Sequence, residues 1–240
     1  DLIKSTTEKD LMDLEAKKGK EAGGYCTFID DYESPYIFSN FNGTSGDIDV
    51  LTHEAGHAFQ VYTSRNIGIP EYIWPTFESC EIHSMSMEFF TWPWMELFFK
   101  DQTDEFQHIV YENPEMTPAE RKAAWRKIEQ TYLPHRDYDG NSYYEAGGFW
   151  QRQGHIYASP FYYIDYTLAQ ICAFQFWKRS REDRDSAWKD YLHLCKLGGS
   201  MSFTKLVKEA NLISPFEEGC VESVIGTIED YLNSVDDAAL

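Results

Sequence analysis

Within DVLTHEAGHAFQVY, residues 49 to 62, two histidines stand four apart, His53 and His57, and Glu54 follows the first of them. The stretch reads as a helix, on which positions i and i+4 lie one above the other, so both imidazoles can face one cation about a turn apart. Glu54 is badly placed to share that cation. Its carboxylate can instead take a proton from the attacking water, which is the division of labour in HExxH hydrolases. The bland alternative is a pair of half-buried histidines. Against it, Val50, Leu51, Ala55, Ala58 and Phe59 supply an apolar face on which a catalytic helix would pack. A catalytic zinc needs a third protein ligand and an open position for water. Downstream, Glu78 and Glu81 are the candidates.

The elements that must hold these groups follow from the surrounding pattern. YCTFID (25–30) and YIFSNF (36–41) are short, aromatic and β-branched, which predicts two strands before Gly43 to Gly46 turn the chain into the motif helix. Ahead of them, residues 2–18 read as a polar helix broken by GKEAGG. Beyond the motif nearly everything reads as helix. Thr117, Pro118 and Glu120 form a capping-box start, Ser214, Pro215 and Glu217 repeat the device before the last helix, and Gly198 with Gly199 ends a helix. The one long irregular stretch is HRDYDGNSYYEAGGFWQRQGH (135–155), and loops of that length are commonly functional. The expected fold is mainly α, multi-helical, with a small β-sheet before the HExxH helix. No repeat or composition shift divides it, so residues 1–240 are expected to form one domain.

Composition narrows the function classes. A chain of 240 residues with 42% hydrophobic and 16% aromatic content can bury a substantial core. A formal charge of −19 argues against nucleic-acid binding, which needs clustered Lys and Arg. No apolar run is long enough to span a membrane, and DLIKSTTEKD has neither the basic start nor the apolar middle of a signal peptide. The five cysteines are odd in number and form no CxxC pair, the pattern of reduced thiols. The expected location is cytoplasmic.

Spacing sorts the metallopeptidase classes. A metzincin would continue with Gly at 60 and His at 63, where this chain has Gln60 and Thr63. The places at which thermolysin-like and aminopeptidase-like enzymes carry their glutamate fall here on Phe77 and Thr76. HEAGHAF followed by ESCEIHSMSMEFF, with 23 residues between His57 and Glu81, is instead similar to the thimet oligopeptidase and oligoendopeptidase F family of zinc peptidases. That resemblance implies a zincin-like catalytic domain holding one Zn2+ per chain on His53, His57 and Glu81, with Glu88 as a supporting partner. Spacing alone does not separate Glu81 from Glu78. His83 reads as an incidental helical histidine.

The resemblance continues on both sides of the motif. KKGKEAGGYCTF and PYIFSNFNGT resemble the family segments before the motif helix, which implies that substrate pairs as an added strand along a sheet edge at 36–41, touching Phe38, Ser39 and Asn40. GHIYASPFYYIDYTLAQICAFQFW resembles the family's histidine and clustered tyrosines. It implies that His155, Tyr163 and Tyr166 face the zinc and stabilise the oxyanion; the register leaves Tyr162 and Tyr157 open as substitutes. Read without the family, those aromatic residues are ordinary core. The implied activity is endopeptidase cleavage of short peptides. Relatives are more than twice this long, so the resemblance implies an N-terminal half, or a second chain, that completes the channel. The alternatives are a metal-retaining peptide-binding fragment of little or no activity, and a helical domain without metal.

Overall fold

The computed structural model describes residues 11–43, 46–91 and 102–234. They belong to two compact units, one formed by 1–95 with 168–240 and the other by 96–167.

The first unit opens with a three-stranded sheet in the order β1-β3-β2: β1 is Met12–Glu15, β2 Tyr25–Ile29 and β3 Ser34–Phe41. Where a helix was expected over 2–18, residues 2–10 lie outside the described residues and Met12–Glu15 is a strand. It pairs in parallel with β3, Met12 opposite Ile37 and Asp13 opposite Phe38. Leu11 is buried, and its carbonyl accepts the Ile37 N–H at 3.1 Å. Lys20 Nζ donates to the carbonyls of Asp13 (2.9 Å) and Glu15 (2.8 Å) and lies 4.4 Å from the centroid of the Phe38 ring. These non-local bonds override the helical propensity of the Lys- and Glu-rich segment.

β2 and β3 form an antiparallel hairpin from Tyr25 opposite Phe38 to Ile29 opposite Ser34. The chain reverses through a 3-10 turn at Asp30–Tyr32 and Glu33, whose φ is 49°. β3 is therefore the central strand. Within the stretch expected to be a sheet edge at 36–41, pairing with β2 runs as far as Phe38 and pairing with β1 runs from Ile37 to Phe41, so Ile37 and Phe38 have a strand on both sides, and the outer edges of the sheet belong to β1 and β2.

Helix α1 (Gly46–Ser64) packs on β2 and β3, and α2 (Phe77–Thr91) packs on α1. Residues 44–45 of the turn before α1 lie outside the described residues. The buried face of α1 is not the apolar set expected: Val50 is exposed and Leu51, Ala55 and Phe59 are half-buried, whereas Glu54, Gly56, His57, Ala58, Gln60, Val61 and Ser64 are buried. Gln60 Nε2 donates to Ser64 Oγ at 3.0 Å and the Ile73 carbonyl at 2.9 Å.

Gly56 sets how closely the two helices approach. A Cβ there would stand 2.5 Å from Ser84 Cα and 2.7 Å from the His83 carbonyl oxygen. Behind α2, the Tyr191 hydroxyl donates to that same carbonyl at 2.9 Å. The core of this unit includes Ala58, Val61, Ile82, Phe176, Tyr191, Leu194, Leu206 and Ile228.

In chain order the later helices are α3 (Gln102–Glu112), α4 (Pro118–Tyr132), α5 (Ser142–Glu145), α6 (Gly154–Ala158), α7 (Tyr163–Glu182), α8 (Arg184–Leu197), α9 (Phe203–Glu209) and α10 (Glu222–Ser234). Gly198 follows α8 with φ 50°, as the sequence suggested. Ser214 to Glu217 does not start the last helix. The Glu217 N–H donates to the Ser214 carbonyl in a turn, and α10 begins at Glu222.

In the second unit, Phe106, Trp125, Ile128 and Trp150 form the core. The capping box at Thr117 is complete, with the Thr117 N–H donating to Glu120 Oε2 at 2.7 Å and the Glu120 N–H to Thr117 Oγ1 at 3.3 Å. The stretch expected to be irregular, 135–155, winds instead into α5, a 3-10 turn at Gly148–Arg152 and the start of α6. Buried Glu129 anchors it, accepting from Arg126 Nη1 at 2.8 Å and from the Tyr138 hydroxyl. Among the described residues no helix is long and apolar enough to cross a membrane.

Candidate metal centre

Gly56 stands between the two histidines, immediately before His57, and the close approach of α1 and α2 there brings both imidazoles onto α2. His53 Nε2 lies 3.2 Å from His57 Nε2 and 3.2 Å from Glu81 Oε2, and His57 Nε2 lies 3.5 Å from the same oxygen. Among the described residues these three form a group able to hold a metal ion. A tetrahedron of donors about 2.0–2.1 Å from a zinc ion has edges of about 3.3–3.4 Å. The observed triangle matches one face of it and leaves the fourth apex to water or substrate. Two imidazole nitrogens and one carboxylate oxygen are also a donor set that zinc favours. Glu78, on the first turn of α2, is not in the group.

The surrounding groups orient the donors. His53 Nδ1–H donates to Glu88 Oε1 at 2.5 Å, which turns Nε2 toward Glu81 and His57. A carboxylate behind a ligating histidine fixes its tautomer and raises its basicity. Ser84 Oγ donates to Glu81 Oε2 at 2.9 Å and to the Glu81 carbonyl at 3.1 Å. Glu81, Ser84 and Glu88 thus occupy successive turns on one side of α2.

Electrostatics mark the site as built for a cation. Burial alone would lower the pKa of His53, but hydrogen bonds to Glu81 and Glu88 outweigh it and raise the value to about 10. Burial works against ionising Glu81, yet the hydrogen bonds from His53 and His57 hold its carboxyl well below the usual range. In the metal-free chain a proton on His53 therefore balances the carboxylates that a divalent ion would otherwise face.

Glu54 is buried, and its Oε2 has no hydrogen-bond partner among the described residues. Burial raises its pKa, with His57 and His53 opposing. A carboxylate held above its ordinary range beside a cation site is suited to accept and return a proton near neutral pH. His83, by contrast, is a core residue. It is fully buried against Tyr191 and Cys195, and burial pushes its pKa down to about 3, leaving it neutral.

Phe38 and Asn40 are half-buried and Ser39 is buried. Phe38 stacks on Tyr25 with ring centroids 4.9 Å apart, and Asn40 Nδ2 donates to the carbonyls of Glu21 (2.7 Å) and Gly23 (2.9 Å). β3 has a strand on both sides at Ile37 and Phe38, and Asn40 holds the turn that leads into the edge strand β2. That turn runs close to Glu54: a Cβ on Gly24 would lie 2.9 Å from Val50 Cγ1 and 3.6 Å from Glu54 Oε1.

In the second unit the structure brings His155 together with Tyr162, Tyr163 and Tyr166. Tyr162 stacks on the His155 ring at 5.1 Å, Tyr163 meets its edge at 5.1 Å, and the Tyr166 hydroxyl lies 3.5 Å from His155 Nε2. Tyr157 instead stacks on Trp150 and is exposed. Gly56 and Gln153 were not singled out by sequence. The Tyr163 hydroxyl donates to Gln153 Oε1 at 2.6 Å. The glycine inside HEAGH was visible but silent, because what it touches lies on another helix.

The sheet before a helix bearing His-Glu-x-x-His, with the third donor on the next helix, defines a metallopeptidase-type fold and site. Peptidase family M3 matches residues 2–104 and 95–224, and the chain belongs to that family. Pz peptidase A, solved with an inhibitor, is similar at 66% identity and a TM-score of 0.92, over 98% of this chain and 46% of its own. An oligoendopeptidase F from Bacillus anthracis is similar at 57% identity and a TM-score of 0.83, over 100% of this chain and 44% of its own. The oligoendopeptidase F homolog of Borreliella burgdorferi is 27% identical over 226 residues, 79% of this chain and 36% of that protein. The chain thus spans less than half the length of these relatives.

Proposed function

We propose that the chain carries the metal-bearing part of a zinc-dependent endopeptidase that hydrolyses internal bonds of short peptides. The observation that supports this best is the triangle of His53, His57 and Glu81 donors with tetrahedral edge lengths, flanked by a buried Glu54 with an unpartnered oxygen. Bound there, a zinc ion supplies Lewis acidity to the attacking water and the scissile carbonyl. Glu54 takes the proton of the water and returns it to the leaving amine. Glu88 holds the His53 imidazole in the tautomer that frees Nε2, and Ser84 holds the Glu81 carboxylate.

The substrate lies extended along the sheet near Phe38, Ser39 and Asn40, as the family resemblance implies, and its backbone pairs with the outer edge of β2, whose approach at Gly24 runs beside Glu54. A role for His155, Tyr163 and Tyr166 in steadying the oxyanion rests on the family resemblance; such a donor is typically worth about 2.7–4 kcal/mol. A cytoplasmic setting is supported by five unpaired thiols. The relatives' greater length supports a further segment or chain that narrows the cleft to short peptides, and no nucleic acid or membrane partner is proposed.

The test is hydrolysis of a quenched short peptide by the zinc-loaded chain and by its Glu54→Gln variant. The variant is expected to keep one zinc and lose activity by several orders of magnitude; a fully active variant overturns the role of Glu54. Because this chain spans 46% of Pz peptidase A, the rival reading is a metal-retaining module that binds peptide without cleaving it. Saturable peptide binding with no hydrolysis by the unaltered chain would select that reading.

A further inference from the structure

Phe161 has φ 61°, in the left-handed region where a bulky side chain is a true outlier. Such a conformation persists only where the surroundings over-determine it. Here α3 does so. Gln107 Oε1 accepts the Phe161 N–H at 3.1 Å, and the Phe161 ring lies 4.9 Å from His108 and 5.2 Å from Tyr111, centroid to centroid. Gln107 is 2% exposed, and its Nε2 has no hydrogen-bond partner among the described residues. An amide buried with an unmet donor costs stability that an apolar residue of similar size would not. What it provides in exchange is the acceptor for one strained peptide.

The position of that peptide gives the bond its consequence. Phe161 lies between α6, which carries His155, and α7, which begins at Tyr163. The bend at Phe161 returns the chain so that Tyr162, Tyr163 and Tyr166 close on the His155 ring, with centroids at 5.1, 5.1 and 5.9 Å. A hydroxyl aimed at a reacting centre loses effect steeply with displacement, about a hundredfold for a misplacement of about 1 Å.

We propose that Gln107 is a positioning residue: through the backbone of Phe161 it fixes the return of the chain and so the placement of the tyrosine hydroxyls around His155. The catalytic consequence rests on the reading that this cluster serves peptide hydrolysis, whereas the latch itself does not.

The experiment compares the zinc-loaded chain with Gln107→Leu, which removes the acceptor, and with the double variant Gln107→Leu/Phe161→Gly, in which glycine takes the left-handed conformation without strain. Zinc stoichiometry, kcat and KM on a quenched short peptide, and the NMR shifts of the His155 ring protons are read for each. Gln107→Leu is expected to keep its zinc and its KM within about twofold and to lose kcat by about tenfold to a hundredfold. It should also lose the ring-current shift that stacked Tyr162 imposes on His155. The double variant should recover a large part of both.

Wild-type His155 shifts in Gln107→Leu, or a double variant no better than the single one, would overturn the latch. Should the unaltered chain cleave no peptide, the peptidase reading fails on its own and the NMR comparison still decides the latch. Gln107→Asn, which withdraws the acceptor by one methylene, serves the same comparison if the leucine variant does not fold.

Discussion

Replacing Gly56 by Ala puts a methyl group where α1 and α2 touch. Its carbon would lie 2.5 Å from Ser84 Cα, 2.7 Å from the His83 carbonyl oxygen and 2.9 Å from Met87 Cβ, against 3.4–4 Å for ordinary contact. Two of these neighbours are backbone, and neither can rotate away, so the helices must part by about 1 Å. Overpacking of this kind costs about 1–3 kcal/mol of stability. The same displacement carries Glu81, three residues before Ser84, away from His53 and His57. Edges of 3.2 and 3.5 Å would open to more than about 4 Å, beyond what a tetrahedral zinc ion spans. Changes that only disturb the partners behind metal ligands cost about 10–100-fold in affinity; moving a ligand itself should cost at least about a hundredfold.

The assay is competition with a zinc chelator, alongside the Tm of the metal-free chain. Gly226→Ala is the control, because a Cβ at Gly226 in α10 meets nothing within 4 Å, and alanine in a helix is favoured over glycine by about 0.8–1 kcal/mol. The expected result is that Gly56→Ala lowers both zinc affinity and Tm, while the control keeps its affinity and gains slightly in Tm. Wild-type zinc affinity in Gly56→Ala would refute the argument that this helix contact sets the donor triangle.

Other outcomes follow from the same geometry. Glu88→Ala removes the acceptor for His53 Nδ1 and should weaken zinc binding by about 10–100-fold without abolishing it, read by chelator competition. In the metal-free chain His53 has a folded pKa raised from 6.5 to about 10. Its stabilising contribution is therefore complete below about pH 6.5 and is lost as pH rises through about 10, so the metal-free Tm should fall across that window. Zinc must displace the same proton, so its apparent affinity should rise over this range; pH-resolved zinc titrations check the sign. Thr117→Ala breaks the capping box of α4 and should cost about 1 kcal/mol in denaturant unfolding, with zinc content unchanged.

Much of the site was legible because its spacing is local. Two histidines four apart on a helix share a face whatever the rest of the chain does, and Glu81, Ser84 and Glu88 follow helical periodicity. What the sequence could not reveal depends on contacts between distant segments. Met12–Glu15 carries no strand signal of its own; it is a strand because β3 and Lys20 hold it. With Met12–Glu15 in the sheet, β3 gains a second strand beside it from Ile37 to Phe41. Ser214 and Glu217 have the types and spacing of a capping box but form an isolated turn, since α10 starts only at Glu222. The choice of Glu81 over Glu78 came from family register, and the packing of Gly56 on Ser84 is the physical reason it is the residue in reach. Gln107 and Phe161 are separated by 54 residues, and no local pattern joins them.

X-ray absorption at the zinc edge of the reconstituted chain tests the central claim most directly. One zinc per chain bound by two imidazole nitrogens and one or two oxygens at about 2.0–2.1 Å, with the imidazole signal diminished in His53→Ala, is the predicted result. A spectrum dominated by sulfur, or zinc that washes out at one equivalent with His53, His57 and Glu81 intact, would contradict it.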